Sequence, residues 1–106
     1  MAFHLLRLVH WCHDVEGVKA ELRYFRSTVG QEVDFVILRN GKPWMAIEAK
    51  SDDRPLDPSL KYLLERVRFP YAFQVSLAGS KDWRHPDING CRVRLLPAAR
   101  FLANLP

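Results

Sequence analysis

A chain of 106 residues, 48% of them hydrophobic and 26% charged, can bury enough apolar surface for one domain with a modest core, and is too short for two. The same balance, with 11% aromatic residues, excludes a disordered, collagenous or fibrous protein. The net charge of +4 is uneven: residues 27–60 hold four Lys or Arg against six Asp or Glu, whereas residues 61–106 hold eight against three. Acid concentrated in the middle of a basic chain suits a protein that approaches phosphate and holds a divalent cation.

Uncharged runs are too short to span a bilayer, and the N-terminus has no basic region, apolar stretch and small-residue cleavage site, so a cytoplasmic location with no membrane partner is expected. Cys12 and Cys91 lie far apart with no CxxC spacing, which argues against a disulfide scaffold or a zinc knuckle; both are read as thiols.

The first segment, Phe3 to Asp14, sets Phe3, Leu5, Leu6, Leu8, Val9 and Cys12 on a broad apolar face, with His4, Arg7, His10 and Asp14 opposite, and reads as an amphipathic helix. It begins without a Ser, Thr, Asp or Asn cap, as expected of a chain that starts inside a longer helix. After Gly17 the pattern turns to strands at Glu21 to Arg26, Glu32 to Arg39 and Trp44 to Lys50, separated by Val29-Gly30 and Asn40-Gly41, an antiparallel meander. Asp57-Pro58 supplies a helix cap and first-turn proline, and Leu60, Leu63, Leu64 and Val67 recur at helical spacing before Pro70 ends the run. Ala72 to Leu77 reads as a strand, Ala78 to Gly90 as a loop and Cys91 to Leu96 as a last strand, with a short helix opening at Pro97.

Two adjacent strands carry the informative spacing, Glu32-Val33-Asp34 and Glu48-Ala49-Lys50. Period-two geometry puts Glu48 and Lys50 on one face of an otherwise apolar strand, where charged groups cost several kcal/mol to desolvate unless paired or bound to a cation. Carboxylates one strand apart can bridge a hard divalent ion, and the lysine can orient or help deprotonate a bound water, chemistry that suits phosphodiester hydrolysis. Register puts this at risk. A perfectly registered two-residue turn at Asn40-Gly41 would set Asp34 opposite Ile47, on the other face from Glu48. A shared cation therefore requires a longer loop or a bulge between Arg39 and Trp44, which Pro43 favours, or a bend at Asp34 itself.

The run EVDFVILRNGKPWMAIEAK resembles the D…ExK signature of the PD-(D/E)XK nuclease-like superfamily, with Asp34 matching the first acid and Glu48 and Lys50 the ExK pair. The stretch from HLLRLVHW through ELRYFRSTVGQEVDFVILRNGKPWMAIEAKSDDRPLDPSL to FQV is similar, more closely, to the C-terminal nuclease-like domain of unknown function attached to AAA-type ATPases of bacteria and archaea. The resemblance implies an α/β, restriction-endonuclease-like fold, a central mixed sheet of αβββαβ core order with an extra C-terminal strand and short helix. Residues 1–106 would form a single nuclease-like domain, with an ATPase domain upstream, because no GxxxxGK[ST] run occurs here.

It further implies Asp34, Glu48 and Lys50 as catalytic residues, and Mg²⁺ or Mn²⁺ held weakly by Asp34, Glu48 and the Ala49 carbonyl. Nucleic acid, DNA rather than RNA, would be bound, with Arg66, Arg68, Lys81 and Arg84 as the candidate phosphate contacts from the basic half. Active relatives often carry a further acid on the first helix, whereas Glu16 and Glu21 fall at or beyond its end, so the site is either active or a vestige in which Glu48 and Lys50 form a satisfied ion pair. Glu32 reads as an exposed acid at a strand start, and Gln74, on the strand where some members of the superfamily place a supporting polar residue, reads as solvent-facing. His10, Cys12 and His13 lack a completing cluster for a metal, and Trp44, Trp83, Tyr62 and Tyr71, which could stack on bases, are dispersed and most of them are expected in the core. The rival reading is a non-catalytic interaction or dimerisation module of an ATPase, for which a homodimer is an expected form.

Overall fold

Six strands in the order β1-β2-β3-β4-β6-β5 form one mixed sheet, with helices on both faces, in a computed structural model that describes residues 1–105. The side chains of Ala2, Phe3, Val15 and Glu16 lie outside that description, and with them the expectations placed on Phe3 and Glu16. Helix α1 (Ala2–Trp11) runs into a wider turn (Cys12–Glu16) that stops at Gly17, whose φ of 67° lies in the left-handed region glycine tolerates. Strands β1 (Ala20–Arg26), β2 (Glu32–Arg39) and β3 (Lys42–Lys50) make the antiparallel meander the turn residues predict. Helix α2 (Pro58–Arg66) then crosses to β4 (Tyr71–Ser76), parallel to β3, and β5 (Trp83–Ile88), β6 (Cys91–Pro97) and α3 (Ala98–Ala103) complete the chain.

The sheet separates two cores. Leu60, Leu63 and Leu64 of α2 pack on Val36, Ala46, Ala72, Val93 and Leu95. On the opposite face Leu5 and Leu8 of α1 and Phe101 of α3 meet Ile37, Ile47, Val75 and Leu96. Full burial of one such side chain contributes about 1.5–3 kcal/mol. Cys12 and Cys91 are both buried, one in each core, so the sheet stands between the thiols. Burial pushes the Cys91 thiol up to about 11, out of the nucleophilic range.

The region expected to be a loop, residues 78–90, contains β5. It is an outer strand paired only with β6 among the described residues, and its register breaks between His85 and Ile88, where Pro86 needs no ladder partner. Asn89 and Gly90, at φ of 51° and 75°, form the tight turn into β6. Because β3, β4 and β6 are mutually parallel through β4, their C-terminal ends share one rim of the sheet, the usual place for a ligand in an open α/β sheet. Among the described residues no helix is long and apolar enough to cross a membrane.

Candidate active site

The β2–β3 hairpin resolves the register problem with a bulge. Asn40 and Gly41 form a two-residue turn with both φ angles positive, and Arg39 pairs with Lys42 and Leu38 with Pro43. The next pair is Ile37 with Met45, so Trp44 is the extra residue, beside the proline that cannot donate to the ladder. The one-residue shift puts Phe35 opposite Ile47 and carries Asp34 to the level of Glu48. Against β1 a second irregularity falls at the same place: Arg23 pairs with Val36 and Phe25 with Val33, leaving Asp34 and Phe35 opposite Tyr24 alone. Of the alternatives anticipated for a shared site the bulge beside Pro43 is present, and a register break against β1 falls at Asp34.

Here the two strands splay and side chains take over the ladder. The Asp34 amide donates to Glu48 Oε1 at 3.3 Å, and the Ala49 amide donates to Asp34 Oδ2 at 3.0 Å. A strand residue aims its N–H and C=O to the same side, so the Ala49 carbonyl also points into this opening. Glu48 is 5% exposed, and burial, reinforced by the adjoining Asp34 carboxyl, pushes its own carboxyl up to about 8. Two acids in contact must share a proton or a cation. The donor set of two carboxylates and a backbone carbonyl is all hard oxygen, which fits Mg²⁺ or Mn²⁺ completed by waters and does not fit zinc. Among the described residues no cluster of three or more His, Cys, Asp or Glu is arranged to hold a metal.

Lys50 lies on the same face but does not pair with Glu48. Its ammonium meets Asp57 Oδ2 at 2.5 Å, and that bond holds Lys50 above the ordinary lysine value. Asp57 caps α2, its Oδ1 accepting the amides of Ser59 at 2.8 Å and Leu60 at 3.3 Å. Burial alone would raise the Asp57 carboxyl; Lys50 and the Ser59 amide outweigh it and leave it lowered. The Glu48–Lys50 ion pair expected of a vestigial site is thus replaced by Lys50–Asp57.

Gln74 is the residue most misjudged from sequence. It is 3% exposed, level with Glu48 on the neighbouring strand. Its carbonyl oxygen accepts the Asp57 amide at 2.7 Å, and its amide nitrogen donates to the Pro55 carbonyl at 2.9 Å and the Arg54 carbonyl at 3.3 Å. Gln74 therefore fixes the loop that presents Asp57 to Lys50.

With this geometry in place, comparison with known families is decisive on one point: residues 4–93 match the family described as Domain of unknown function (DUF4143). The chain belongs to that family. No curated protein matches it. The DUF4143 match runs from α1 into β6, so it contains Asp34, Glu48, Ala49, Lys50, Asp57 and Gln74 together.

The remaining candidates within the DUF4143 region are dispersed. Register places Met45 beside Tyr71 at one end of β3 and β4 and Lys50 beside Ser76 at the other. Arg66, stacked on Tyr62 at 3.7 Å, and Arg68, before β4, therefore lie toward the end away from Glu48. Arg84 sits on the outer strand and pairs with Asp87 at 3.4 Å. Of the four basic candidates Lys81 alone is at the carboxylate rim, its amide bonded to Asp53. Glu32 is exposed and pairs with Arg26, and Glu21 pairs with Arg23 and Lys19. His10 and His13 are exposed while Cys12 is buried.

Proposed function

We propose that this chain is a nucleic-acid-binding domain of the PD-(D/E)XK nuclease type, with a restriction-endonuclease-like fold, whose reaction is metal-dependent phosphodiester hydrolysis. The observation that carries this reading is the pair of irregularities at Trp44 and Asp34, which bring two carboxyls into contact on a sheet face where Glu48 is buried and its charged form is disfavoured by burial and by Asp34. A hairpin without a ligand to hold has no need of two register breaks that converge on an unfavourable acid pair.

In this reading Asp34, Glu48 and the Ala49 carbonyl would hold Mg²⁺ or Mn²⁺. Such an ion, when bound, lends positive charge to a phosphate oxygen and acidifies water. The protein's part begins with Glu48, whose proton must leave before the pair can bind a cation, so affinity rises with pH through about 8. Lys50, kept protonated by Asp57, serves as a fixed positive charge for a phosphate oxygen and not as a base. Asp57 and Gln74 are positioning residues: one holds the Lys50 ammonium, the other holds Asp57.

The test is cleavage of labelled DNA and RNA strands and duplexes with Mg²⁺ or Mn²⁺ by wild type, Asp34→Asn, Glu48→Gln and Lys50→Ala. Cleavage that needs the metal and is lost in all three variants supports the reading. Absence of cleavage in the wild type with both metals, or activity that survives Glu48→Gln, refutes hydrolysis at this site and leaves the interaction module as the function.

A further inference from the structure

We propose that the cavity beside Trp83 is a base-binding subsite for single-stranded nucleic acid, a few nucleotides from the carboxylates. The inference rests on the nucleic-acid reading above and adds the form of substrate. One row of the sheet links the two places: Glu48 is level with Gln74, Gln74 with Leu95, and Leu95 with Trp83. Three strand spacings separate Glu48 from Trp83, about 14 Å. Period two puts Trp83 and His85 on the same face as Leu95 and Gln74, the face that carries the acids.

Between this row and the loop after β3 lies a cavity of about 410 Å³, lined by Trp83, His85, Gln74, Ser76, Asp53 and Lys81 among others. Its volume is in the range of small-ligand sites, and it has one apolar wall and several polar groups. Trp83 keeps 42% of its surface exposed, an unusual state for an indole, with the His85 ring at 5.6 Å beside it.

The chain that leads into Trp83 is anchored. Asp53 accepts the amides of Ser80 at 3.1 Å and Lys81 at 3.2 Å, and Ser76 Oγ donates to it at 3.4 Å. Next to Trp83 on that same side, Asp82 takes two bonds from Arg94, at 2.9 and 2.8 Å, and one from Arg100 at 2.5 Å. The segment that carries Trp83 is thus fixed to the β3–α2 loop, to β6 and to α3 before any ligand arrives, which lowers the ordering cost of binding.

The cavity's charge selects its occupant. Asp52, paired with Arg54 at 2.8 Å, and Asp53 disfavour a phosphate inside it, while a remaining carboxylate oxygen can accept from the amino group of a base; Lys81 is exposed on its border, where a backbone phosphate would pass. A ring to stack on, acceptors for a base edge and cations for the backbone are the elements of single-strand recognition. A base inside an intact duplex presents no face to Trp83.

The experiment is fluorescence anisotropy in EDTA and low salt, with a labelled short oligodeoxycytidine, the same strand carrying abasic sites, and a blunt duplex. Wild type should bind the intact strand most tightly. Trp83→Ala should weaken that binding by about 5- to 150-fold, the range for loss of one stacked base. Trp83→Phe should keep most of it, and wild type and Trp83→Ala should converge on the abasic strand. Equal wild-type affinity for intact and abasic strands, a measurement that needs no variant, overturns the subsite, as does a Trp83→Ala protein that binds like wild type. Cleavage that depends on Glu48 while binding ignores Trp83 removes the subsite alone. Trp83-dependent binding with no cleavage removes hydrolysis alone and leaves the subsite standing. Failure to bind any strand overturns the subsite as well.

Discussion

Replacing Glu48 with glutamine isolates the energetic consequence of the acid pair, because the amide keeps the shape of the side chain and can still donate to Asp34. In the fold the Glu48 carboxyl stands at about 8 against 4.5 for the free group, through burial first and the adjoining Asp34 second. Between those values the native protein holds a proton that the unfolded chain has released, so stability falls as pH rises through the window and levels off above it. At about 1.36 kcal/mol per pKa unit the full effect is about 5 kcal/mol, a large part of the about 5–15 kcal/mol that stabilises a typical domain. Asp57, whose carboxyl is lowered, acts in the opposite sense: its contribution is present above 3.8 and lost as pH falls below that value. Wild type and variant share that term, so it cancels in their difference. Urea denaturation from pH 4 to 9 in EDTA should show wild type losing about 3–5 kcal/mol relative to Glu48→Gln across the window. Parallel stability curves for the two proteins would refute the claim that the fold forces Glu48 against Asp34.

Deleting Trp44 takes out the unpaired residue but leaves Met45 opposite Ile37 and Asp34 level with Glu48; the deletion variant should fold and keep both the Glu48 pH dependence and Mn²⁺ binding, and loss of both would show that the local distortion of the bulge, and not the register it sets, makes the site. Gln74→Ala strands the Asp57 amide and two loop carbonyls and should cost about 2–3 kcal/mol in chemical denaturation, whereas a change under about 0.5 kcal/mol would mean the loop is held by other contacts. Asp57→Ala removes both the α2 cap and the Lys50 partner and should cost about 2–4 kcal/mol, with Asp57→Asn recovering the cap share of about 1 kcal/mol; equal losses would mean that the cap contributes nothing.

How far these features were legible in the sequence depends on the distance over which they are decided. The β2–β3 hairpin is local: Asn40-Gly41 dictates the turn, Pro43 marks the irregularity, and parity from those positions shows that Asp34 needs a bulge to reach Glu48. The Asp57 cap of α2 is equally local. β5 was hidden because Arg84, Pro86 and Asp87 resemble loop composition, and an outer strand can accept them, since its unpaired edge needs neither continuous hydrophobicity nor every N–H. Asn89-Gly90, the same turn dipeptide as in the first hairpin, was the signal that could have exposed it.

The burial of Gln74 and the pairing of Asp57 with Lys50 are hidden for a different reason. Alternation says that Gln74 shares a face with Ala72 and Ser76, but only the crossover of α2 brings the 54–57 loop over that face with backbone groups in need of partners. The choice of Asp57 over Glu48 as the partner of Lys50 follows from the same crossover. Linear charge was the weakest guide: the excess of base in residues 61–106 is spread over both ends and both faces of the sheet, and Arg84 and Arg94 spend their charge on Asp87 and Asp82.

The central claim is that Asp34 and Glu48 are held together to share one divalent cation, and Mn²⁺ titration followed by water-proton relaxation tests it most directly. Wild type should bind Mn²⁺ more tightly at pH 8.5 than at pH 6.5, with Mg²⁺ competing, and Asp34→Asn and Glu48→Gln should each abolish the enhancement while remaining folded. Mn²⁺ binding of the same strength in wild type and both variants, or none in the wild type at either pH, would contradict it.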